Sequence, residues 1–284
     1  MSLSTGGSPG VLWPMVLLHM MEFLFCLGCV VWLTVFHLKK HKTAGYAVAL
    51  PFLTLNALSN LLEGTFYAVQ LSGNKNPSDG VAFLYSLGAL CFYMGCFLLS
   101  LTFLELSRAS GATVEARRKR TTIMWFIFAG FFVCWIIIDT VCTFVLSKYD
   151  SKKVDPFRIG GHCLFCGILL SWGWFRLRER LLEKEQLLTA TAHLKGTIVG
   201  IRIVAVSAVA FLFVKFLVTV TVAAYDFHGS EVLQWFCEFS LVNVLPFCIV
   251  LLYFVTNVRG RHGPRKESSA VAPTVAVASS AQQK

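Results

Sequence analysis

Apolar residues occur along this chain in long uninterrupted runs, and shorter polar stretches separate the runs. A helix needs about 20 apolar residues to cross the ~30 Å hydrocarbon core of a bilayer. Seven runs reach this length, which predicts an all-α integral membrane protein with seven transmembrane helices. We expect the helices at about 11–36, 44–71, 81–106, 121–146, 157–177, 197–224 and 232–257.

The composition supports this fold class. Hydrophobic residues make up 56% of the 284 residues, charged residues only 14%, and the mean hydropathy is +0.68. A soluble globular protein of this size needs more polar residues than this to cover its surface. A soluble fold is therefore excluded.

The lysines and arginines predict how the chain is oriented. Most of them follow the first predicted helix, separate helices 3 and 4, separate helices 5 and 6, or follow helix 7. By the positive-inside rule, residues 1–10 are then lumenal or extracellular, and residues 258–284 form a basic, disordered cytosolic tail. The net charge of +10 thus reflects topology, and it favours anionic lipid or acidic protein partners over nucleic acid.

Polar side chains in the second predicted helix are the main exception to the apolar pattern. Asn56, Ser59, Asn60 and Glu63 are three, four and seven residues apart, so a helix places them on one face. An amide or carboxyl group facing lipid costs several kcal/mol. This face must therefore contact other helices or a water-filled cavity, and the same argument applies to Glu22 near the centre of helix 1.

Several ionisable residues lie at a similar predicted depth, in the outer half of the bilayer. We expect Lys215 in this layer to pair with an acid, because an unpaired buried cation destabilises a helical bundle. Two interpretations remain open: a structural ion-pair network, and a lumen-facing cavity that binds a ligand or senses pH. The candidate layer contains Glu63, Asp139, His162, Lys215 and Glu238, with Glu22, Asn56, Asn60 and Asn243 as further polar residues of the interior.

The predicted cytosolic side offers a candidate surface for protein partners. It comprises Arg117, Arg118, Lys119 and Arg120 before helix 4, and Arg178 and Arg180 in an amphipathic extension of helix 5.

The same extension contains a candidate sorting signal. Glu183, Leu187 and Leu188 have the spacing of an acidic-dileucine signal. The alternative is that these leucines simply pack on neighbouring helices.

Catalytic chemistry is not expected. The cysteines all fall in apolar segments, so we interpret the two Cys-x-x-Cys pairs as small buried thiols. The histidines do not form the set that a seven-helix zinc hydrolase needs, and helix 7 lacks a lysine for retinal. We therefore predict no enzyme, no cofactor and no metal site.

Four segments resemble the plant tobamovirus-multiplication proteins and their animal relatives, the lysosomal orphan-receptor-like membrane proteins. The resemblance includes an Asn-rich helix 2, an acidic residue followed by Arg at the end of helix 3, a Gly/aromatic end of helix 5 and a Leu-Pro motif in helix 7. The segments are Phe52–Val69, Phe92–Arg108, Gly167–Arg180 and Glu238–Lys266.

This resemblance implies a seven-helix protein of a vacuolar or lysosomal membrane. It also implies cytosolic partners such as small GTPases or trafficking factors. The chain departs from the family at Glu63, where the family usually has Arg, and at Lys215, where it tends to have Arg.

We therefore expect a non-enzymatic membrane scaffold or regulator. The alternative is a receptor that resembles the G-protein-coupled receptors and has its ligand pocket in the outer polar layer. A third hypothesis is a transporter of protons or small solutes. The plasma membrane is the alternative location, and the sequence leaves homo-oligomerisation open.

Overall fold

The computed structural model describes residues 9–40, 46–72, 79–108, 114–187 and 192–225. Within these ranges the chain forms α-helices, one π-helical turn at Cys142–Leu146 and no β-strand. The prediction of an all-α protein is thereby confirmed for the described residues. The helices are α1 (Pro9–Lys40), α2 (Tyr46–Leu71), α3 (Asp79–Arg108), α4 (Val114–Val141), α5 (Ser147–Leu187) and α6 (Ala192–Tyr225).

Four of these helices are long and apolar enough to cross a membrane. The stretches are Leu12–Val35 in α1, Gly80–Arg108 in α3, Arg118–Val145, which includes most of α4, and Ile201–Thr221 in α6. The chain is therefore a multi-pass membrane protein. The seventh predicted helix, at 232–257, and the tail at 258–284 lie outside the described residues.

The helix boundaries differ most from the prediction between helices 4 and 5. We predicted helices at 121–146 and 157–177, the second with an amphipathic extension. Helix α4 instead begins at Val114, and α5 begins at Ser147 and includes the predicted extension up to Leu187. A prediction based on apolar runs alone ends each helix where charged residues begin. Charged residues such as Lys, Arg and Glu are good helix formers in water, however, so a helix can continue past the hydrocarbon core.

Helix α3 lies at the centre of the described bundle. It packs against α2 on one side and α5 on the other, while α1 packs on α2 and α6 packs on α5. Of the most apolar stretch of α3, 78% is buried inside the bundle, whereas only 6% of the corresponding stretch of α4 is buried. Helix α4 therefore presents most of its apolar surface to the surroundings, as a helix at a lipid boundary does.

Helices α3 and α5 run in parallel. The rings of Tyr93 and His162 contact each other near the middle of the two helices, and those of Phe103 and Trp174 do so further along both. The C-terminal parts of α3 and α5 therefore lie at the same end of the bundle. We call this the arginine end, because Arg108 and the arginines of α5 lie there.

The close approach of α5 to α3 depends on a glycine. A Cβ atom at Gly173 would lie 2.9 Å from the main-chain oxygen of Ser100 and 3.3 Å from Cβ of Phe103. A main-chain oxygen in a packed helix cannot rotate away as a side chain can. Any larger residue must therefore push the two helices apart.

Replacing Gly173 by Ala is expected to lower the free energy of unfolding by about 1–3 kcal/mol, the usual cost of overpacking. Gly161→Ala on the same helix is the matched control, because nothing lies within 4 Å of a Cβ atom there. The measurement is thermal unfolding of the purified protein, followed by size-exclusion chromatography. An equal loss in both variants would show that the effect is not due to the α3–α5 contact.

Candidate functional site

The first buried polar cluster joins α1 to α2. His19 Nδ1 lies 2.9 Å from Asn60 Oδ1, and Asn60 Nδ2 donates a hydrogen bond to the main-chain oxygen of Asn56 at 3.0 Å. The second bond uses the amide nitrogen of Asn60, so the atom that faces His19 is the amide oxygen, which can only accept. Nδ1 of His19 must therefore carry a hydrogen and donate it. The other ring nitrogen, Nε2, faces Glu63 Oε2 at 3.8 Å.

Two further groups complete this α1–α2 polar cluster, which comprises His19, Glu22, Ser59, Asn60 and Glu63. Ser59 Oγ donates to Glu63 Oε1 at 3.3 Å. Glu22 hydrogen bonds with Asn60, but its Oε1 atom has no hydrogen-bond partner among the described residues. Both carboxyl groups are deeply buried, with Glu22 2% and Glu63 5% exposed, so the helices exclude them from lipid.

The two asparagines of this helix face behave differently. The face was expected to contact other helices or a cavity, with Glu63 in the outer layer, and Asn60 contacts α1 through His19. Asn56 Nδ2 instead donates to the main-chain oxygen of Phe52 in its own helix, at 2.8 Å. Asn60 and Glu63 both face His19, because one imidazole ring offers two nitrogens on opposite edges.

A second buried polar cluster joins α4 to α5, and comprises Asp139, Arg158 and His162. Asp139 Oδ1 lies 3.6 Å from Arg158 Nη1 and 3.8 Å from His162 Nε2. The His162 ring packs against Trp135, at 3.7 Å between ring centroids, and stacks on Tyr93 at 5.3 Å. This α4–α5 polar cluster is thus enclosed by aromatic rings and joined to α3.

No role was predicted for Arg158, which is the second residue of the helix predicted at 157–177. In the structure it lies within α5 with a side chain only 8% exposed. It stands four residues before His162, so the two share a helix face, and both reach Asp139.

Lys215 on α6 lies between the two clusters. Its Nζ atom is 5.2 Å from the ring centroid of Tyr93 and 5.7 Å from that of Phe211, and it interacts electrostatically with Glu63. We expected an acid as its partner, but no described carboxylate lies within ion-pair distance of it. The predicted neighbour Glu238 lies outside the described residues.

The structure therefore brings Glu22, Asn60, Glu63, Asp139, His162 and Lys215 into the interior as two clusters with a cation between them. Glu238 and Asn243 lie outside the described residues. His19 and Arg158 were not predicted as members. Each stands three or four residues from a recognised polar residue of its own helix, Glu22 and His162 respectively, and this spacing was the available signal.

The chemistry open to these clusters is that of hydrogen bonds and charge. Among the described residues, no group of three His, Cys, Asp or Glu side chains is arranged to hold a metal ion. The free cysteines at 26, 29, 163 and 166 are buried. The clusters can hold a proton or bind a small polar ligand.

A cavity of about 680 Å³ opens between α3 and α5 at the arginine end. Arg108, Arg176 and Arg180 line it together with Glu179 and Trp172. Arg176 Nη1 lies 3.8 Å from Glu179 Oε2, and both side chains of this pair are exposed. The cavity carries more positive than negative charge.

The start of α4 is attached beside this cavity. Arg120 Nη1 donates to the main-chain oxygen of Arg108 at 2.9 Å, which provides the last residue of α3 with a donor. Arg118, Lys119 and Arg178 are exposed. We call these three residues the basic surface.

The other predicted cytosolic residues are only partly described. Arg117 lies in α4, and Glu183 and Leu187 lie in the last turns of α5. Leu188 lies outside the described residues, so the sorting signal stays a prediction.

Comparison of the chain with protein-family models, with curated proteins and with solved structures found no match in any of the three.

The hydrogen bonds of Asn60 should matter for stability. Asn60→Leu keeps the size of the side chain but leaves the Nδ1 hydrogen of His19 without its acceptor, and we expect a loss of about 1–3 kcal/mol in the free energy of unfolding. Thr65→Val on the same helix is the control, since its exposed hydroxyl donates to the main-chain oxygen of Leu61 in its own helix. Thermal unfolding of both purified variants measures the difference. Equal stability of the two variants would contradict the importance of the cluster.

A double-mutant cycle tests the pair of Asp139 and Arg158. Arg158→Met should cost about 3–5 kcal/mol, because it leaves a buried carboxylate without its cation, and Asp139→Asn in the same chain should recover part of this loss. The exposed pair Arg176→Met and Glu179→Gln is the matched control, with an expected coupling of at most about 1 kcal/mol. Equal coupling in both cycles, measured by thermal unfolding, would refute the argument.

Proposed function

We propose that this protein is a non-enzymatic seven-helix scaffold or regulator of an endomembrane, of vacuolar or lysosomal type, that recruits cytosolic proteins at its arginine end. The observation that carries the proposal is the joining of basic segments from separate parts of the chain. The bond from Arg120 to the end of α3 places the basic start of α4 beside the arginines of α5.

The packing of α2 and α5 supports seven transmembrane helices. Helix α2 lies between α1 and α3, and α5 lies between α3 and α6. Each is flanked by helices that are apolar enough to cross a membrane, so its polar residues can be shielded from lipid, which supports its crossing the bilayer. Together with the apolar run at 232–257, this supports the proposed seven spans.

The excess of Lys and Arg at the arginine end supports a cytosolic orientation of that end, and with it a lumenal N-terminus. An endomembrane is supported by the predicted sorting signal of Glu183, Leu187 and Leu188 and by the family resemblance. The partner that suits the basic surface is a protein with an acidic patch, such as a small GTPase or a trafficking factor. Charges at the rim of an interface mainly accelerate association and select partners.

Charge reversal of the basic surface should remove the recruited proteins. In the triple variant Arg118→Glu, Lys119→Glu and Arg178→Glu, we expect proximity labelling from the cytosolic end to recover at least about tenfold less of the partner proteins. The control triple variant, Arg118→Lys, Lys119→Arg and Arg178→Lys, keeps every charge and should label like wild type. Unchanged labelling after charge reversal would refute recruitment by this surface.

A receptor resembling the G-protein-coupled receptors is the second candidate, and one observation favours it. Glu22 Oε1 has no hydrogen-bond partner among the described residues, and His19 Nε2 lies beyond hydrogen-bond distance from Glu63. A polar ligand held between α1 and α2 would satisfy both atoms. Recovery of heterotrimeric G proteins and arrestins in the same labelling experiment would support this candidate instead of the scaffold.

A further inference from the structure

The cavity at the arginine end has the size and charge of a site for an anion. Its volume of about 680 Å³ falls within the range of small-molecule sites. Three arginines and one glutamate line it, and the glutamate is already close to Arg176. Guanidinium groups bind phosphate oxygens in pairs of parallel hydrogen bonds, so the lining favours a phosphate group.

The cavity also lies at the end of a candidate membrane span. The candidate span Gly80–Arg108 ends with one of its lining residues. Trp172, which is 46% exposed, lines the cavity from α5. Tryptophan at the end of a span is typical of the interface between hydrocarbon and water. A phosphate bound beside Arg108 would therefore lie level with the phosphates of the bilayer.

An exposed apolar stripe on α5 runs beside the cavity and extends one helical turn beyond it toward the centre of the span. It consists of Ile168, Trp172 and Phe175, whose side chains are 54%, 46% and 55% exposed. Their spacing of three and four residues puts them on one face of α5. Acyl chains would cover this stripe, whereas a free phosphate or a soluble acidic peptide would leave it uncovered.

We propose that the cavity binds the headgroup of an anionic phospholipid, whose acyl chains lie along the α5 stripe. Arg108 and Arg176 hold the phosphate, and Trp172 packs at the level of the glycerol. This site is separate from the basic surface, because Arg178 lies on the opposite face of α5 from Arg176. The inference does not depend on which cytosolic protein is recruited.

The test is native mass spectrometry of the full chain in detergent, titrated with phosphatidylserine or with phosphatidylcholine of the same acyl chains. Both lipids carry the phosphate, but phosphatidylserine has a net negative charge, whereas choline would place a permanent cation beside three arginines. Phosphatidylserine should therefore bind at least about tenfold more tightly. In Arg108→Gln with Arg176→Gln this preference should disappear. The matched control, Arg118→Gln with Arg178→Gln, removes the same charge at the same end and should bind like wild type.

The glutamine variants are designed to keep the fold. The bond from Arg120 goes to the main-chain oxygen of residue 108, which Arg108→Gln retains. A second measurement avoids these variants altogether: quenching of tryptophan fluorescence by brominated phosphatidylserine should exceed quenching by brominated phosphatidylcholine. The excess should disappear in Trp172→Phe, and the lack of any excess would overturn the proposal.

The remaining outcomes also decide the question. Equal loss of phosphatidylserine in both double variants would mean that diffuse surface charge binds it, which overturns the site. Displacement by glycerophosphoserine at concentrations similar to the lipid would assign the cavity to a free anion. Loss of cytosolic partner labelling in Arg108→Gln with Arg176→Gln, with lipid binding unchanged, would assign it to a protein. The lipid measurements use purified protein, so they stand even if the proposed recruitment function fails.

Discussion

The structure depends on the cost of placing carboxyl, amide and imidazole groups in a bilayer. Hydrocarbon offers no hydrogen bonds, so each such group must find its partners within the protein. Asn60 of α2 accepts a hydrogen bond from His19 of α1, whereas Glu63 accepts from Ser59 of its own helix and lies 3.8 Å from the His19 ring. On the other side of α2, Gly88 of α3 has no side chain, and a Cβ atom there would lie 2.7 Å from Glu63 Cγ. The order of α1, α2 and α3 thus follows from burying one polar face.

Helix α3 connects this arrangement to the other half of the bundle through Tyr93. The ring of Tyr93 stacks on His162 and lies beneath the ammonium group of Lys215. Aromatic rings can hold a cation without bringing a second charge into the interior, which avoids part of the desolvation cost of an ion pair. The two polar clusters are therefore separated by rings and one cation, and each is tied to a different pair of helices. Such contacts favour one arrangement of helices over other arrangements that would bury a similar area of apolar surface.

The arginine end divides its positive charge between two environments. Arg108 and Arg176 face a cavity at the end of a candidate span, whereas Arg118, Lys119 and Arg178 are exposed on the surface. Helical periodicity produces this division, since residues two apart on α5 lie on nearly opposite faces. A membrane protein arranged in this way can hold a lipid with one set of arginines while the other set remains free for soluble partners.

The sequence by itself determined the all-α membrane class and most helix positions, because apolar length and polar spacing are local properties of the chain. It also singled out Glu63, Asp139, His162 and Lys215 as residues of the interior. Only the tertiary structure decided how these residues are partnered. Arg158 was not predicted to have a partner, yet it lies beside Asp139, and Lys215 meets rings where an acid was expected. Partners depend on which helix faces pack together and how closely, and glycines such as Gly88 and Gly173 set that distance across helices far apart in sequence.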